Sequence, residues 1–443
     1  MNSSHAVGRA TALVIALACG AAAHAQAVSG PAKFKSEIEG IVAKRYPALE
    51  ATYRDIHANP ELGFQETRTA ALLAKEMRAL GFDVTEKVGK TGLVAIFKNG
   101  AGPVVMVRTE LDALPMEEKS ALPYASRTKA LYNGKETFVA HSCGHDVHMA
   151  AWVGAAATLV AMKNRWQGTL MFVAQPAEES VGGAKAMVDD GIFTRFPKPA
   201  FALALHTGPE AAGTVGYNVG PVTSNYDSLR IVFKGRGGHG SAPHKAIDPI
   251  MMAAHFLVDM QSLVNREKDP FEFGVATIGA VEAGSAPNII PDNATLRGTI
   301  RTYSQEVRAK IHDGIRRVAT AVAAAAGAPA PEIAIDRGGD AVVNDAALTA
   351  RIEKTLKTAF GDKAEREPPV TASEDFSVFV STGIPSLFFG IGVTDPKLVA
   401  ESKLPGGKPV PFNHSPFYAP VAEPSIKTGV TAMSLAVLTI LAK

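Results

Sequence analysis

The chain has 443 residues, more than one ordinary hydrophobic core accommodates, so its length predicts two domains. With 47% hydrophobic and 20% charged residues, its composition excludes a disordered or fibrous protein and indicates a soluble globular one. The 45 basic and 43 acidic side chains nearly cancel and no run of Lys or Arg stands out, so we expect neither nucleic acid nor an anionic membrane as a partner.

The first 25 residues are typical of an export signal. Arg9 supplies a positive start, the apolar stretch ATALVIALACGAAA follows, and Ala-His-Ala at 23–25 offers a cleavage site before Gln26. A membrane anchor is one alternative, but the apolar stretch is shorter than the roughly 20 residues that a spanning helix needs. Lipid attachment at Cys19 is another. The sequence predicts a mature protein that begins near Gln26 and is periplasmic or secreted, free of the membrane.

Cleavage would leave Cys143 as the one cysteine of the mature chain, because the other lies in the export signal. The mature protein then has no internal disulfide. A lone thiol in an oxidising compartment needs to be buried or bound, so Cys143 calls for a specific environment.

Between about residues 32 and 215, apolar strands alternate with helical segments, as in a largely parallel α/β sheet. The predicted strands are LVAIF, VVMVR, TLMFVA and FALALH. The predicted helices are TRTAALLAKEMRALG, MAAWVGAAATLVAMKN and GAKAMVDDG. This part of the chain, residues 26–218, is expected to form the first part of a mostly parallel domain.

The pattern changes around Gly220. The predicted strands are SLRIVFKG, GVATIGAVEAG and ATLRGTIRTY, with helices at about 248–265 and 305–326. This compact set predicts a smaller α+β domain inserted at 219–333.

After AAAAGAPAPE the first pattern resumes over 334–443. The predicted elements are a helix at about 345–360, the strand SLFFGIG and a final helix from about Pro424. The apolar part of the last helix, AVLTILA, is too short to span a bilayer and is expected to pack in the core.

The segment HSCGHDVHMA, residues 141–150, concentrates histidines around one cysteine. Cys143 and His145 form a Cys-x-His pair that can present a thiolate and an imidazole to one centre, and both groups bind zinc-like metals. The alternative is a buried small cysteine beside unrelated histidines.

An acidic pair follows the next predicted strand. Glu178 and Glu179 come at its carboxyl end, where α/β proteins place their ligands. One carboxylate can bind a metal while the other accepts a proton from an activated water. The alternative is an acidic helix start, since carboxylates favour the first turn.

Further histidines occur at strand ends and in loops. FALALHTGP is predicted to end a buried strand at His206, and FNHSP places His414 in a distant loop. A histidine closing a strand is also a common core residue. In the inserted domain, GRGGHGSAPH surrounds His239 and His244 with glycines, which allow a ligand to approach the backbone or simply make a bend.

Ten segments, in order along nearly the whole mature chain, resemble the M20 family of metallopeptidases, and specifically its amidohydrolase branch of hippurate, N-acyl-amino acid and auxin-conjugate hydrolases. The segments are HANPELGFQETRTA, RTELDALP, HSCGHDVHMA, QPAEE, ALHTGP, GRGGHGSAPH, SAPNIIPD, RGTIRTY, ASEDFS and FNHSPFY. The resemblance implies a zinc-peptidase-like catalytic domain with two divalent metal ions and a ferredoxin-like lid that serves for homodimerisation in many members.

By position within these motifs, the resemblance implies that the metal ligands are Cys143, His145, Glu179, His206 and His414. Glu178 would be the general base. His239 and Asn288, on the lid, would stabilise the oxyanion or orient the substrate, in several dimeric relatives from the neighbouring subunit. Arg301 would bind a substrate carboxylate.

The chemistry of these residue types agrees with that implication. An amide carbonyl is a poor electrophile, and metals both polarise it and lower the pKa of the attacking water. Glu178 would accept the proton and pass it to the departing amine. Imidazole and amide donors suit an oxyanion, and a guanidinium suits a carboxylate. Carboxylate and imidazole ligands suit manganese, zinc and cobalt, and the thiolate favours zinc.

The sequence departs from the family's usual motif R-A-D-M-D-A-L-P at the first acidic position. This chain has glutamate there, Glu110, and keeps the second acidic residue, Asp112. We expect this motif, with Asp146 and His148, to support the ligands rather than to bind metal, although His148 also suits a plain helix start. Glu374-Asp375 either lines the substrate site or begins a helix.

The sequence therefore predicts a metal-dependent hydrolase that cleaves N-acyl or N-aroyl amino acids. A dipeptidase or carboxypeptidase with the same metal centre is the first alternative, because the same chemistry cleaves a peptide. A periplasmic solute-binding protein is a remote alternative that explains the export signal and two domains, but not the acidic pair beside separated histidines and a lone thiol.

Overall fold

A computed structural model of the chain describes residues 30–180 and 182–443, so the predicted export signal lies outside the described residues. The α-helices are α1 (Lys35–Ala58), α2 (Thr67–Ala79), α3 (His145–Ala161), α4 (Gly183–Asp189), α5 (Ile192–Arg195), α6 (Pro249–Arg266), α7 (Gln305–Ala325), α8 (Ala346–Phe360), α9 (Ser377–Val380), α10 (Pro396–Ser402) and α11 (Ala422–Leu441). The strands are β1 (Asp83–Val88), β2 (Gly92–Asn99), β3 (Val104–Glu110), β4 (Lys129–Tyr132), β5 (Lys135–Phe138), β6 (Gly168–Gln175), β7 (Phe201–Ala211), β8 (Val215–Tyr217), β9 (Gly220–Pro221), β10 (Asp227–Lys234), β11 (Gly238–His239), β12 (Gly274–Ala283), β13 (Ile289–Ile290), β14 (Asn293–Thr302), β15 (Glu332–Arg337), β16 (Val343–Asn344), β17 (Ala364–Arg366) and β18 (Ser386–Thr394).

The main sheet has a parallel centre and one antiparallel flank, and at its other edge β8 runs antiparallel to β18 while β17 runs parallel to β8. Its strand order, over the residues that the structure describes, is β1-β2-β6-β3-β7-β18-β8-β17. Parallel ladders join β6 to β3, β3 to β7 and β7 to β18, whereas β1, β2 and β6 are joined by antiparallel ladders. The predicted mostly parallel α/β sheet is confirmed, and the predicted strand LVAIF lies in its antiparallel flank as β2.

The central strands are apolar on both faces because helices cover both. In β3, Val105 and Val107 pack into one hydrophobic cluster and Met106 packs into the other, and Phe172 and Val173 of β6 divide in the same way. This alternation follows from the two-residue period of a strand. It explains why the strands appear in the sequence as continuous apolar runs.

Helices α1, α3 and α11 pack together on one face of the sheet. Helix α11 is the one helix of the described chain that is long and apolar enough to cross a membrane, but 83% of its most apolar window is buried inside the protein. Its burial in the protein, and not its length, therefore identifies it as a core helix.

The predicted inserted segment forms a second, antiparallel sheet. Four strands in the order β12-β14-β10-β15 carry helices α6 and α7, and the chain order β-α-β-β-α-β is that of a ferredoxin-like fold. These elements enclose their own hydrophobic cluster. The domain boundaries at 219 and 333 stay predictions, and strand β15 of this sheet continues to Arg337.

Candidate metal centre

The candidate site lies where the parallel strands end. Asp112 follows β3, Glu178 and Glu179 follow β6, and Cys143 immediately precedes the turn into α3. Carboxyl ends of parallel strands meet at one edge of a sheet, and ligands bind there in α/β proteins. The fold thus brings segments that are far apart along the chain to one place.

The structure brings all five predicted metal ligands together. The ligand atoms of Cys143, His145 and Glu179 lie within 4.8 Å of one another. Cys143 Sγ lies 3.5 Å from His206 Nε2, and His414 Nε2 lies 3.2 Å from Glu179 Oε2. One prediction about this set is wrong in detail: β7 does not end at His206 but continues to Ala211, so His206 projects from within the strand.

Two potential ligand atoms of this cluster are buried and make no hydrogen bond to the described protein. His145 Nε2 and Glu179 Oε1 have no hydrogen-bond partner among the described residues. Leaving such atoms buried and unpaired costs free energy, which a bound cation would offset. The set of one thiolate, one carboxylate and three imidazoles fits divalent ions of the zinc and manganese kind.

The hydrogen bonds behind two of the imidazoles orient them toward this centre. His145 Nδ1 donates to the carbonyl oxygen of Asp112 over 2.8 Å, and His206 Nδ1 donates to the carbonyl oxygen of Thr207 over 2.9 Å. With Nδ1 protonated, each ring presents the lone pair of Nε2 to the cluster. Both rings are therefore held in the tautomer that a metal requires.

Asp112 also fixes the turn that carries the acidic pair. Its two carboxylate oxygens accept the backbone N–H groups of Glu178 at 3.0 Å and Glu179 at 2.9 Å. The preceding residue, Ala177, has a positive φ of 48°, which is uncommon for a residue with a side chain. The RTELDALP motif therefore supports the acidic pair through Asp112.

Glu178 is buried beside two further carboxyl groups. Carboxylate oxygens of Glu178, Glu374 and Asp375 lie within 4.8 Å of one another. Burial, followed by the charges of Glu374, Glu179 and Asp375, raises the pKa of Glu178 well above its usual value. A cation bound at Glu179 would oppose this effect because it favours the charged carboxylate.

Arg108 is the buried cation that balances these acids, and it was missed by sequence reasoning. Its guanidinium contacts Glu110, lies 2.6 Å from Glu374 and lies 3.2 Å from Asp375. Gln175 accepts from Arg108 Nε at 2.9 Å and donates to Asp375 at 2.6 Å. Arg108 begins the motif RTELDALP and Gln175 begins the motif QPAEE, so the sequence did contain a signal for both residues. Glu374 and Asp375 precede the short helix α9 and also line the acidic side of the site.

A second buried group surrounds Asp146. His57 Nδ1 lies 2.6 Å from Asp146 and its Nε2 lies 3.1 Å from Glu118. Sequence reasoning missed His57 and Glu118, although His57 begins the motif HANPELG. Asp146 lies in the first turn of α3, next to His145, and its hydrogen bond to His57 holds that turn in place.

The lid residues lie apart from this cluster. His239 pairs with Ile289 across β11 and β13, and the N–H of Gly240 donates to Asn288 O at 2.8 Å, so His239 and Asn288 are neighbours. Within the described chain no hydrogen bond or ion pair joins either side chain to the five ligands. Arg301, on β14, stacks on Tyr226, and its Nη1 is buried without a described partner. The roles of these three residues stay predictions.

Comparisons with known proteins agree with the chemistry of this site. Residues 106–404 match the model of peptidase family M20/M25/M40. The chain is 39% identical to a hippurate hydrolase of Campylobacter jejuni, over 75% of this chain and 84% of the relative. It is 34% identical to thermostable carboxypeptidase 2 of Saccharolobus solfataricus, over 78% of this chain and 85% of the relative. A crystal structure from Bacillus subtilis, described as a dinuclear metal-binding peptidase of the M20 family, superposes with a TM-score of 0.74 at 27% identity and covers 90% of this chain and 99% of that one.

Proposed function

The chain belongs to peptidase family M20/M25/M40, and from that membership we propose that it hydrolyses the amide bond of N-acyl or N-aroyl amino acids, releasing a carboxylic acid and a free amino acid. Its relatives include a hippurate hydrolase and a dinuclear metal-binding peptidase, which support metal-dependent hydrolysis of amides. The observation that carries the proposal is the meeting of Cys143, His145 and Glu179 beside the uncoordinated carboxylate of Glu178.

In the proposed mechanism, the five ligands Cys143, His145, Glu179, His206 and His414 hold two divalent ions. Such ions, when bound, would polarise the amide carbonyl and lower the pKa of the attacking water. The chain provides the remaining steps. Glu178 accepts a proton from the attacking water at its carboxylate and delivers it to the nitrogen of the leaving amine. Asp112 keeps Glu178 in place by binding its backbone N–H.

Zinc or manganese is the proposed metal. One thiolate and three imidazoles favour zinc, and the carboxylate suits either ion or cobalt. Cys143 is buried, and burial, followed by the charges of Glu179 and Glu178, raises the pKa of its thiol well above the usual value. A thiol of this kind becomes a thiolate when a cation binds it, so metal binding should release a proton.

The lid supplies the proposed substrate contacts. The buried and unpaired Nη1 of Arg301 suits the free carboxylate of an amino-acid product, and His239 and Asn288 suit the oxyanion. Because His239 and Asn288 do not contact the metal cluster within one chain, we propose that they act after lid closure or from a second subunit. A homodimer through the lid would cover Val275 and Val281 on the edge strand β12, whose side chains are exposed.

A peptidase acting on dipeptides or peptide C termini is the second candidate, because a relative named as a carboxypeptidase is 34% identical over 78% of this chain. The periplasmic or secreted location is also a proposal, and it rests on the sequence of residues 1–25. Sequencing the N terminus of protein recovered outside the cytoplasm tests that part, and a mature chain beginning at Gln26 is expected.

The experiment for the activity is free-amine release from a panel of hippurate, N-acetyl amino acids and dipeptides. Metal-stripped protein is assayed before and after zinc or manganese is restored, with Glu178→Gln as the control for contaminating hydrolases. Metal-dependent cleavage of the acylated substrates is expected. Preferential cleavage of dipeptides would establish the second candidate, and no cleavage of either class with either metal would overturn the proposal.

A further inference from the structure

His148 is a buried histidine beside the candidate metal centre that is not one of the five proposed ligands. Its ring lies 4.6 Å from that of His206, measured between centroids. Together with Glu110, His145 and His206 it forms a group whose ligand atoms lie within 4.8 Å of one another. Proximity alone would make it a further metal ligand, and its hydrogen bonds decide against this.

The backbone fixes the tautomer of His148. The N–H of Thr207 donates to His148 Nε2 at 2.8 Å, and a backbone N–H is always a donor, so Nε2 must be the unprotonated acceptor. The proton is then on Nδ1, which donates to Glu110 Oε2 at 2.9 Å. Because the lone pair of Nε2 is occupied by Thr207, His148 has none left for a metal.

Thr207 connects this histidine to two of the proposed ligands. Its carbonyl oxygen accepts from His206 Nδ1 at 2.9 Å, and its hydroxyl donates to the carbonyl oxygen of Cys143 at 2.9 Å. The side chain of Asn413, which precedes His414, donates to the same two carbonyl oxygens at 3.2 and 3.1 Å. Thr207, together with Asn413, therefore sets the position of the turn that carries Cys143 relative to the part of β7 that carries His206.

Glu110 is itself fixed at the other end. One of its oxygens accepts from the guanidinium of Arg108 and the other accepts from His148, and the side chain is fully buried. A glutamine could not replace it, because only one of its two terminal atoms accepts. The carboxylate of Glu110 therefore requires His148 to keep its proton on Nδ1.

We propose that Glu110 and His148 are a positioning pair for the metal centre, which act through Thr207 on Cys143 and His206. The proposal rests on the metal centre of the proposed function. Residues behind metal ligands typically contribute about 10- to 100-fold to metal affinity. We expect that contribution to be lost when the hydrogen bond to Thr207 is broken.

Two substitutions of the same histidine separate this role from simple packing. In His148→Gln, the side-chain oxygen can occupy the position of Nε2 and still accept from Thr207. In His148→Asn, the shorter amide reaches only the position of Nδ1, so it can satisfy Glu110 but leaves the N–H of Thr207 unpaired. Glu110→Gln is the third variant, because it leaves one acceptor oxygen for two donors, Arg108 and His148, and so disturbs the hydrogen bond that holds the ring.

The measurement is zinc affinity, by competition with a chromophoric chelator, together with the thiolate-to-cobalt charge-transfer band of the cobalt-loaded protein. We expect His148→Asn and Glu110→Gln to bind zinc about 10- to 100-fold more weakly and to show an altered band. His148→Gln should stay near the unsubstituted protein. His312→Gln is the matched control, since His312 is a largely buried histidine that bonds Asp227 at 2.7 Å within the lid. It should leave both readouts unchanged.

Equal zinc affinity in all variants would overturn the positioning role and leave the metal centre in place. Equal weakening in His148→Gln and His148→Asn would also overturn it, because packing would then explain the loss. If His148→Asn does not fold, as judged by urea unfolding, Glu110→Gln against His148→Gln decides the question. Failure of the unsubstituted protein to bind zinc, manganese or cobalt would instead reject the proposed function and this proposal with it.

Discussion

The Nε2 atom of His414 lies 3.2 Å from a carboxylate oxygen of Glu179, although the two residues belong to opposite halves of the chain. His414 has a positive φ of 68°, and its backbone N–H donates to Ser142 O at 2.8 Å. A non-glycine residue keeps such a conformation only where its surroundings enforce it. The cluster is therefore complete only when both parts of the main domain are folded together.

Replacing Glu178 by glutamine should abolish turnover and spare the metal. Glu178 lies beside the five proposed ligands but is not one of them. Loss of a general base typically lowers the rate roughly 10²- to 10⁴-fold. We expect kcat to fall by about that factor while bound zinc, measured by elemental analysis, stays the same. Glu179→Gln is the contrasting variant and should lose metal as well. A Glu178→Gln protein that retains full turnover would remove Glu178 from the mechanism.

Arg108→Met should destabilise the fold. Arg108 is the buried partner of Glu110, Glu374 and Asp375, and removing one member of a buried charge network typically costs about 3–5 kcal/mol. Urea unfolding measures the loss. Arg297→Met is the control, because Arg297 pairs with Glu282 where both side chains are more than half exposed, and such pairs contribute at most about 1 kcal/mol. Equal losses of stability in the two variants would contradict the role of Arg108 as the cation that balances the buried acids.

His57 should make stability depend on pH in the alkaline range. Burial disfavours its charged ring, but the hydrogen bonds to Asp146 and Glu118 outweigh burial and raise the pKa of His57 to about 10. The pKa of unfolded histidine is about 6.5, so this stabilisation is fully present below that pH and is lost as the pH rises through 10. Each unit of difference corresponds to about 1.4 kcal/mol, so the effect is on the order of a few kcal/mol.

The measurement is the free energy of unfolding against pH for the unsubstituted protein and for His57→Gln. The difference between the two should shrink between about pH 7 and 10. His244→Gln, at an exposed histidine of the lid, is the control and should track the unsubstituted protein. A pH-independent difference for His57→Gln would show that the ring is neutral in the folded protein.

Gly144→Ala should weaken the metal centre through Thr207. Gly144 has φ 83°, and a Cβ placed there would collide with the Thr207 hydroxyl that bonds Cys143. Gly134→Ala is the matched control, because Gly134 has φ 76° and open space around the added atom. The control should lose only the roughly 1–2 kcal/mol of a left-handed alanine. We expect Gly144→Ala to lose more stability and also zinc affinity; identical losses would show that Thr207 adapts freely.

Local pattern predicted most of the elements that surround the site. The central strands were recognisable because burial on both faces gives each of them a continuous apolar run, with the polar residues near the site confined to the later part of the strand. Helix α1 was not predicted, since Pro47 interrupts a mixed polar pattern and tertiary packing on α3 and α11 stabilises the helix. The short strands β8 and β17 were also missed, because three residues carry too little periodicity.

The sequence by itself determined which ligand types are present and that Glu179 and His206 would lie toward the carboxyl ends of buried strands, because apolar runs and ligand chemistry are written locally. Only the tertiary structure decided that Arg108 balances three acids, that His57 pairs with Asp146, and that His148 turns its lone pair to Thr207 instead of a metal. Each of these depends on a hydrogen bond of about 3 Å between residues distant along the chain. Packing sets such distances, and the order of residues along the chain does not encode them one by one.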